Sequence, residues 1–155
     1  MGALSRAISN LSGSTHIDIY EEYPSIVGKR FINDYPTIKF ISKISNQYDL
    51  IVSTDVLEHV HDPVKLLLRM VKSLKKDGYL VIANCFRPVI KCHLPMTFHW
   101  KYTFRILCKM AGLDYIGRCG LSHGHIYRKK KRAKVNKFLL KVLNSLSSLI
   151  GPILN

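Results

Sequence analysis

Hydrophobic positions along the chain recur in blocks whose period switches between helix-like and strand-like spacing. Leu4, Ala7, Ile8 and Leu11 lie at i, i+3, i+4 and i+7, which predicts a helix over residues 2–11. The short run HIDIY predicts a strand over 16–20, and residues 21–34 contain a helix that stops before Pro36. TIKFI predicts a strand over 37–41, and a further strand follows over 49–53. The clearest helical stripe is Val64, Leu67, Leu68, Val71 and Leu74, with Asp62 as N-cap and Pro63 at the first helical position. A turn is expected over 74–78 and a strand over 78–84. An irregular loop with two prolines covers 86–97, and a helix over 98–111 ends at Gly112. Residues 113–119 and 125–129 read as a closing antiparallel pair, followed by a basic segment and a last helix over 134–150.

The segment YDLIVSTDVLEHVHDP, residues 48–63, carries the most chemistry. Leu50, Ile51 and Val52 form an apolar run typical of a buried strand, which Ser53, Thr54 and Asp55 terminate. Val56, Leu57 and Val60 fall on one side of a helical turn, with Glu58, His59 and His61 between them. With the helix and strand that follow, this makes a βαβ unit, and open α/β sheets bind ligands beyond the carboxyl ends of such strands.

This segment together with LLLRMVKSLKKDGYLVIANC resembles the second half of class I S-adenosylmethionine-dependent methyltransferases, most closely the type 11, UbiE/UbiG-like group. The shared pattern is an apolar strand, D-x-L-E-H, D-P, and a turn into the next strand, over roughly forty residues; Lys76-Asp77-Gly78 stands where the family has Pro-Gly-Gly. The resemblance implies a Rossmann-like α/β fold with a mostly parallel sheet and an antiparallel C-terminal strand pair. It also implies S-adenosylmethionine as cofactor and a small-molecule or lipid-linked methyl acceptor. It starts late: residues 1–20 resemble the end of the family's glycine loop, its helix and the second strand, with Gly2 matching the last loop glycine. The first strand and the earlier glycines are missing, so an N-terminally truncated form is expected, with two strand edges lacking partners. An inactive remnant of the fold, acting through its tail, is the competing reading.

Residue by residue, the resemblance implies that Gly2 lets backbone N–H groups face the cofactor's carboxylate, the other reading being a frayed terminus. Asp18 would accept hydrogen bonds from the ribose hydroxyls, with Glu21 as the alternative. Residues 42–45 occupy the adenine-contacting region, where Ser42 and Lys43 replace the family's usual acid. Ser53, Thr54 and Asp55 would line the methionine end of the cofactor, and equally suit a capping turn. His59 and His93 are the candidate general bases for an oxygen acceptor. His93, His99 and Tyr102 would shape an acceptor pocket or simply pack a surface loop. His123 and His125 invite a metal reading that no acid or suitably spaced cysteine supports, so no metal site is expected.

The formal net charge is +14. Eight basic side chains and no acid lie in residues 128–155, so the tail holds more than half of the excess. In residues 134–150 Val135, Phe138, Leu139, Val142, Leu143, Leu146, Leu149 and Ile150 form one side, and Lys134, Lys137, Lys141, Asn144 and Ser148 the other. This basic amphipathic pattern suggests an anionic membrane surface as partner through residues 128–150; packing on protein is the alternative, and sparse aromatics make nucleic acid a poor fit. The expected division is a methyltransferase-like domain over 1–130 and a tail over 131–155. Cys85, Cys92, Cys108 and Cys119 lack CxxC spacing and read as reduced thiols of a cytoplasmic protein, peripheral on a membrane if the tail binds one.

Overall fold

The sequence segregates into two units, residues 1–45 and 46–155, each with its own small sheet. The structure, a computed structural model, describes all residues except 1, 14, 22, 46, 121–122, 132–136 and 151–155, and the side chains of 137–139 and 150. The first unit comprises α1 (Ala3–Ser12), β1 (Ile17–Tyr20), α2 (Ile26–Phe31) and β2 (Ile38–Ile41). β1 and β2 pair in parallel, with Ile17 opposite Ile38 and Asp18 opposite Lys39. The Ser25 hydroxyl caps α2 by accepting from the Gly28 N–H at 2.9 Å. Ser9 on α1 hydrogen-bonds Thr37, just ahead of β2, at 3.2 Å.

The second unit comprises β3 (Tyr48–Thr54), α3 (Pro63–Ser73), β4 (Leu74–Ala83), α4 (Trp100–Met110), β5 (Leu113–Arg118), β6 (His125–Lys129) and α5 (Lys137–Ile150). Its sheet has the order β3-β4-β6-β5, with β3 and β4 parallel and the other two pairings antiparallel. Asp62 caps α3 as its pattern predicts: a carboxylate oxygen accepts from the Lys65 N–H at 2.9 Å. α3 and α4 contribute Leu67, Val71, Trp100 and Leu107 to a core that also holds Leu80 and Ile82 of β4. The fold is the α/β, Rossmann-like arrangement that the resemblance implies, with its antiparallel end pair. Among the described residues β1 pairs only with β2, and β3 only with β4.

Two elements differ from the sequence-based expectation. The turn placed at 74–78 lies inside β4. Tyr48 pairs with Leu74 and then Leu50 with Tyr79, so residues 75–78 bulge out of a strand that is already running. Asp77 takes φ 61° there, a left-handed conformation that Asp tolerates better than most residues. Gly78 is required by space: a Cβ would sit 3.0 Å from the Lys75 carbonyl oxygen and 3.1 Å from those of Tyr48 and Asp49. The helical side expected from Val56, Leu57 and Val60 shrinks to a single 3₁₀ turn, Leu57–His59. Asp55 enters it at φ 51°, and Asp62-Pro63 restarts the chain as a new helix, so there is no length for a second turn.

The last helix begins at Lys137; the start expected at 134–136 lies outside the described residues. It belongs to the second unit and packs on α4. Leu140 is buried, as the apolar side predicts. Asn144 and Ser147 also face α4, where Ser147 shares a 2.9 Å hydrogen bond with Thr103. No helix among the described residues is long and apolar enough to cross a membrane.

Candidate functional site

The carboxyl ends of β3 and β4 position the chemistry of the second unit. β3 ends on Ser53, which is buried, and Thr54, which is exposed. Asp55 then turns the chain, and its N–H donates to the Ala83 carbonyl at 2.8 Å, stitching the ends of the two strands together. Its carboxylate lies 3.5 Å from the His123 imidazole, and both side chains are largely exposed. His123 is thereby placed beside Asp55.

Leu57 and Glu58 anchor the turn that follows. Both are completely buried. Leu57 joins the hydrophobic core, whereas Glu58 reaches under the next loop. One Glu58 carboxylate oxygen accepts from the Cys85 N–H at 2.7 Å. With its amide nitrogen turned inward, Asn84 donates to the other oxygen at 3.3 Å and to the Ala83 carbonyl at 3.1 Å. The Leu94 N–H donates to the Glu58 main-chain carbonyl at 2.9 Å. A buried carboxylate bonded at both oxygens fixes the chain around it, since leaving such a group unmet is costly.

The same loop brings His93 beside His59, with ring centroids 4.9 Å apart and the rings edge to face. His59 Nδ1 lies 3.0 Å from the Cys92 carbonyl oxygen and His93 Nδ1 lies 2.6 Å from the Arg87 carbonyl oxygen. A carbonyl oxygen can only accept, so Nδ1 carries the proton in both rings. In each neutral ring the lone pair is therefore on Nε2, and both Nε2 atoms are open to a proton or a ligand. The sequence singles out His59 and His93 separately; the fold makes them neighbours. It did not single out Glu58 as their buried third member, although the adjacent Glu-His pair on one tight turn was the available signal.

His99 and Tyr102 are placed elsewhere. His99 is buried at the start of α4 and bonds Asn144 at 3.2 Å. Tyr102 is exposed on α4, with the Lys101 ammonium 4.8 Å from its ring centroid. Their surroundings are those of packing residues. The register also sets apart a cavity of about 340 Å³ lined by Arg105, Tyr115 and Tyr127. Tyr127, one of its lining residues, pairs with Leu80 of β4 rather than with the residues at the Thr54–Ala83 end.

In the first unit, Gly2 caps α1 at φ 83°, and a Cβ there would press on Ile32 at 3.1 Å and Phe31 at 3.3 Å. It is thus an ordered N-cap, and no side chain caps the α1 N-terminus. That leaves first-turn N–H groups suited to a carboxylate. Asp18 has a mostly buried side chain, 3.7 Å from the Lys39 ammonium. Ser42 and Lys43 are exposed beyond the end of β2. This donor and acceptor set fits the ribose and amino-acid portions of a nucleoside cofactor.

An α/β sheet with ligand groups gathered at strand ends defines a protein of the Rossmann-like, nucleotide-cofactor class. Residues 10–128 match the family model described as a methyltransferase domain, and the chain belongs to that family. S-adenosylmethionine is the cofactor that goes with it. Three solved structures illustrate the likeness. A Galdieria sulphuraria protein provisionally designated a sarcosine dimethylglycine methyltransferase is 18% identical, with TM-score 0.61, covering 84% of this chain and 75% of its own. The N-methyltransferase NodS of Bradyrhizobium japonicum, in complex with S-adenosylhomocysteine, is 19% identical with TM-score 0.59, covering 83% and 72%. The Burkholderia thailandensis 1,6-didemethyltoxoflavin-N1-methyltransferase, with that substrate and S-adenosylhomocysteine bound, is 11% identical with TM-score 0.60, covering 80% and 65%. At these identities the likeness speaks to the fold. No curated protein sequence matches the chain.

Proposed function

We propose that this chain transfers a methyl group from S-adenosylmethionine to a small-molecule acceptor at the carboxyl end of β3 and β4. The observation that carries the reading is the His59–His93 pair, held 4.9 Å apart beside the strand end with both Nδ1 atoms committed to carbonyls. Bound S-adenosylmethionine supplies an electrophilic sulfonium methyl for an in-line displacement. The residues' work is then mostly positioning, because alignment of the acceptor supplies much of such a rate. An oxygen acceptor must also lose its proton, and His59 Nε2 or His93 Nε2 is the base, a contribution of about 10²–10⁴-fold. Within the first unit, Asp18 accepts from the ribose hydroxyls and the α1 N-terminus at Gly2 faces the carboxylate. Within the second, Thr54 and Asp55 line the methionine end, with Ser53 beneath them.

Calorimetry of the 155-residue chain with S-adenosylhomocysteine tests this. Stoichiometric heat is expected, and Asp18→Ala should weaken binding about 10–100-fold, as loss of hydrogen bonds to a charged acceptor predicts. Absence of heat with the unaltered chain would overturn the reading.

A second reading concerns the tail. Packed on α4, α5 still leaves Val142, Leu146 and Leu149 exposed in one stripe, with Lys141 exposed beside it. Such a stripe, in a chain whose residues 128–131 are all basic, suits an anionic membrane surface. Flotation with phosphatidylserine vesicles tests it: binding should fall in the Leu146→Ser, Leu149→Ser double variant, and unchanged binding would sink the idea.

A further inference from the structure

We infer that Glu58, His59 and His93 form a binding site for a first-row divalent metal ion. One carboxylate oxygen and one ring nitrogen from each histidine lie within 4.8 Å of one another. Around a cation with bonds of about 2.0–2.2 Å, tetrahedral ligand atoms stand about 3.3 Å apart. The three groups are therefore gathered but not fully closed. His59 is the half-buried member, and its side is the route of entry.

Three independent features favour a cation here. The first is the donor state. Nδ1–H of each ring is spent on a main-chain carbonyl, which orients the ring and leaves Nε2 as the ligand atom. This is the outer-shell arrangement that metal-binding histidines use. The second is charge. Glu58 is completely buried, and its partners are the neutral Cys85 N–H and Asn84 amide. No Lys or Arg forms an ion pair with Glu58 among the described residues. A buried carboxylate without a cation is costly, and a divalent ion offsets that cost. The third is rigidity. Each ligand sits on backbone fixed by its own hydrogen bonds: His59 N–H to Val56 at 3.1 Å, His93 N–H to Ile90 at 3.2 Å, and Glu58 carbonyl to Leu94 at 2.9 Å.

Two imidazoles and a carboxylate are borderline-soft donors that suit zinc, cobalt, iron or nickel better than magnesium or calcium. Three protein ligands leave at least one coordination position open. Metal binding and service as a proton acceptor are exclusive uses of the same Nε2 atoms, so the inference competes with the base role for an oxygen acceptor while leaving cofactor binding untouched.

The test uses the full chain, stripped with chelator and titrated with zinc by calorimetry and with cobalt by visible absorption, without S-adenosylmethionine. One equivalent should bind, cobalt should show ligand-field bands of a nitrogen and oxygen site, and zinc should raise Tm. His59→Gln and His93→Gln should each weaken affinity by at least about 100-fold, since loss of even an outer-shell partner costs 10–100-fold. Glu58→Gln keeps the shape and should weaken it likewise. Cys92→Ser and His123→Gln should bind as the unaltered chain does. Absence of stoichiometric binding by the unaltered chain, or undiminished binding by the His59→Gln, His93→Gln double variant, would overturn the inference. S-adenosylhomocysteine titration of the same preparation reads the cofactor site separately, so either reading can fail alone.

Discussion

The Trp100 indole N–H donates to the Asn144 side-chain oxygen at 2.8 Å and so ties α4 to α5. That oxygen also lies 3.2 Å from His99 Nε2. It accepts from an indole that can only donate, so the His99 nitrogen must donate too. Asn144→Leu would therefore strand a donor on Trp100, which is 1% exposed. Loss of about 1–3 kcal/mol is expected, the cost of an unmet buried polar group. Chemical denaturation of the variant measures it; a change below about 0.5 kcal/mol would mean that α5 contributes little to the fold.

The pH dependence of stability has a defined sign on both sides. Burial lowers the His99 pKa against the opposing hydrogen bond it donates to Asn144. Burial also lowers that of His125, helped by Arg118, Arg105 and His123. In the unfolded chain both rings take up a proton near pH 6.5, before the folded rings do. The unfolded state then binds more protons, so stability falls as pH drops below about 6.5. At the alkaline end burial pushes the Cys108 thiol up to about 12 and raises Tyr127 as well. These groups ionise first in the unfolded chain, so their contribution is present at neutral pH and is lost as pH rises above about 9. Tm measured from pH 5 to 10 should form a dome, and His99→Gln should flatten its acid limb. A Tm still rising at pH 5 would contradict the assignment.

Two glycines should respond oppositely to a methyl group. Gly78→Ala drives a Cβ into three carbonyl oxygens at 3.0–3.1 Å, all of them backbone that cannot swing away. A loss of about 1–3 kcal/mol is expected. Gly117 on β5 has nothing within 4 Å of its added Cβ. There the substitution should change stability by no more than about 0.5 kcal/mol. Paired denaturation curves decide it: equal effects would mean that the bulge at 75–78 is less tightly packed than described.

How much of this was legible in the sequence follows from range. Periodicity located the described strands and α-helices to within a few residues, though not the 3₁₀ turn Pro95–Thr97, because capping and apolar spacing are local: Asp62-Pro63 begins α3, and Gly112 closes α4. The bulge reads as a turn in sequence because Lys75-Lys76-Asp77-Gly78 has turn chemistry; only the partner strand, through Tyr48 and Leu50, shows that pairing continues across it. Asn144 falls on the polar side of its helix in sequence and yet packs on α4, because a single helix carries no signal of what it packs against. In the candidate site His59 was visible within its motif and His93 within its loop. That they meet, with Glu58 beside them, depends on contacts 27 to 34 residues apart in the chain, which a local pattern does not encode.

Thiol chemistry offers a further check on the fold of the second unit. Cys92 and Cys119 are exposed, Cys85 is half-buried and Cys108 is buried in the core. The thiolate is the reactive form, so a thiol at about 12 is almost wholly protonated at neutral pH as well as inaccessible. Timed alkylation of the native protein, read by mass spectrometry, should label Cys92 and Cys119 first, Cys85 later, and Cys108 only after denaturant is added. Zinc should not slow labelling at Cys119, which is outside the Glu58, His59 and His93 group. At Cys92 it should slow labelling modestly, because the Cys92 carbonyl holds His59 and a bound cation would stiffen that loop. Early labelling of Cys108 under native conditions would show that α4 does not pack on the sheet as described, since the thiol sits among Leu107, Leu113 and Tyr127 of that core.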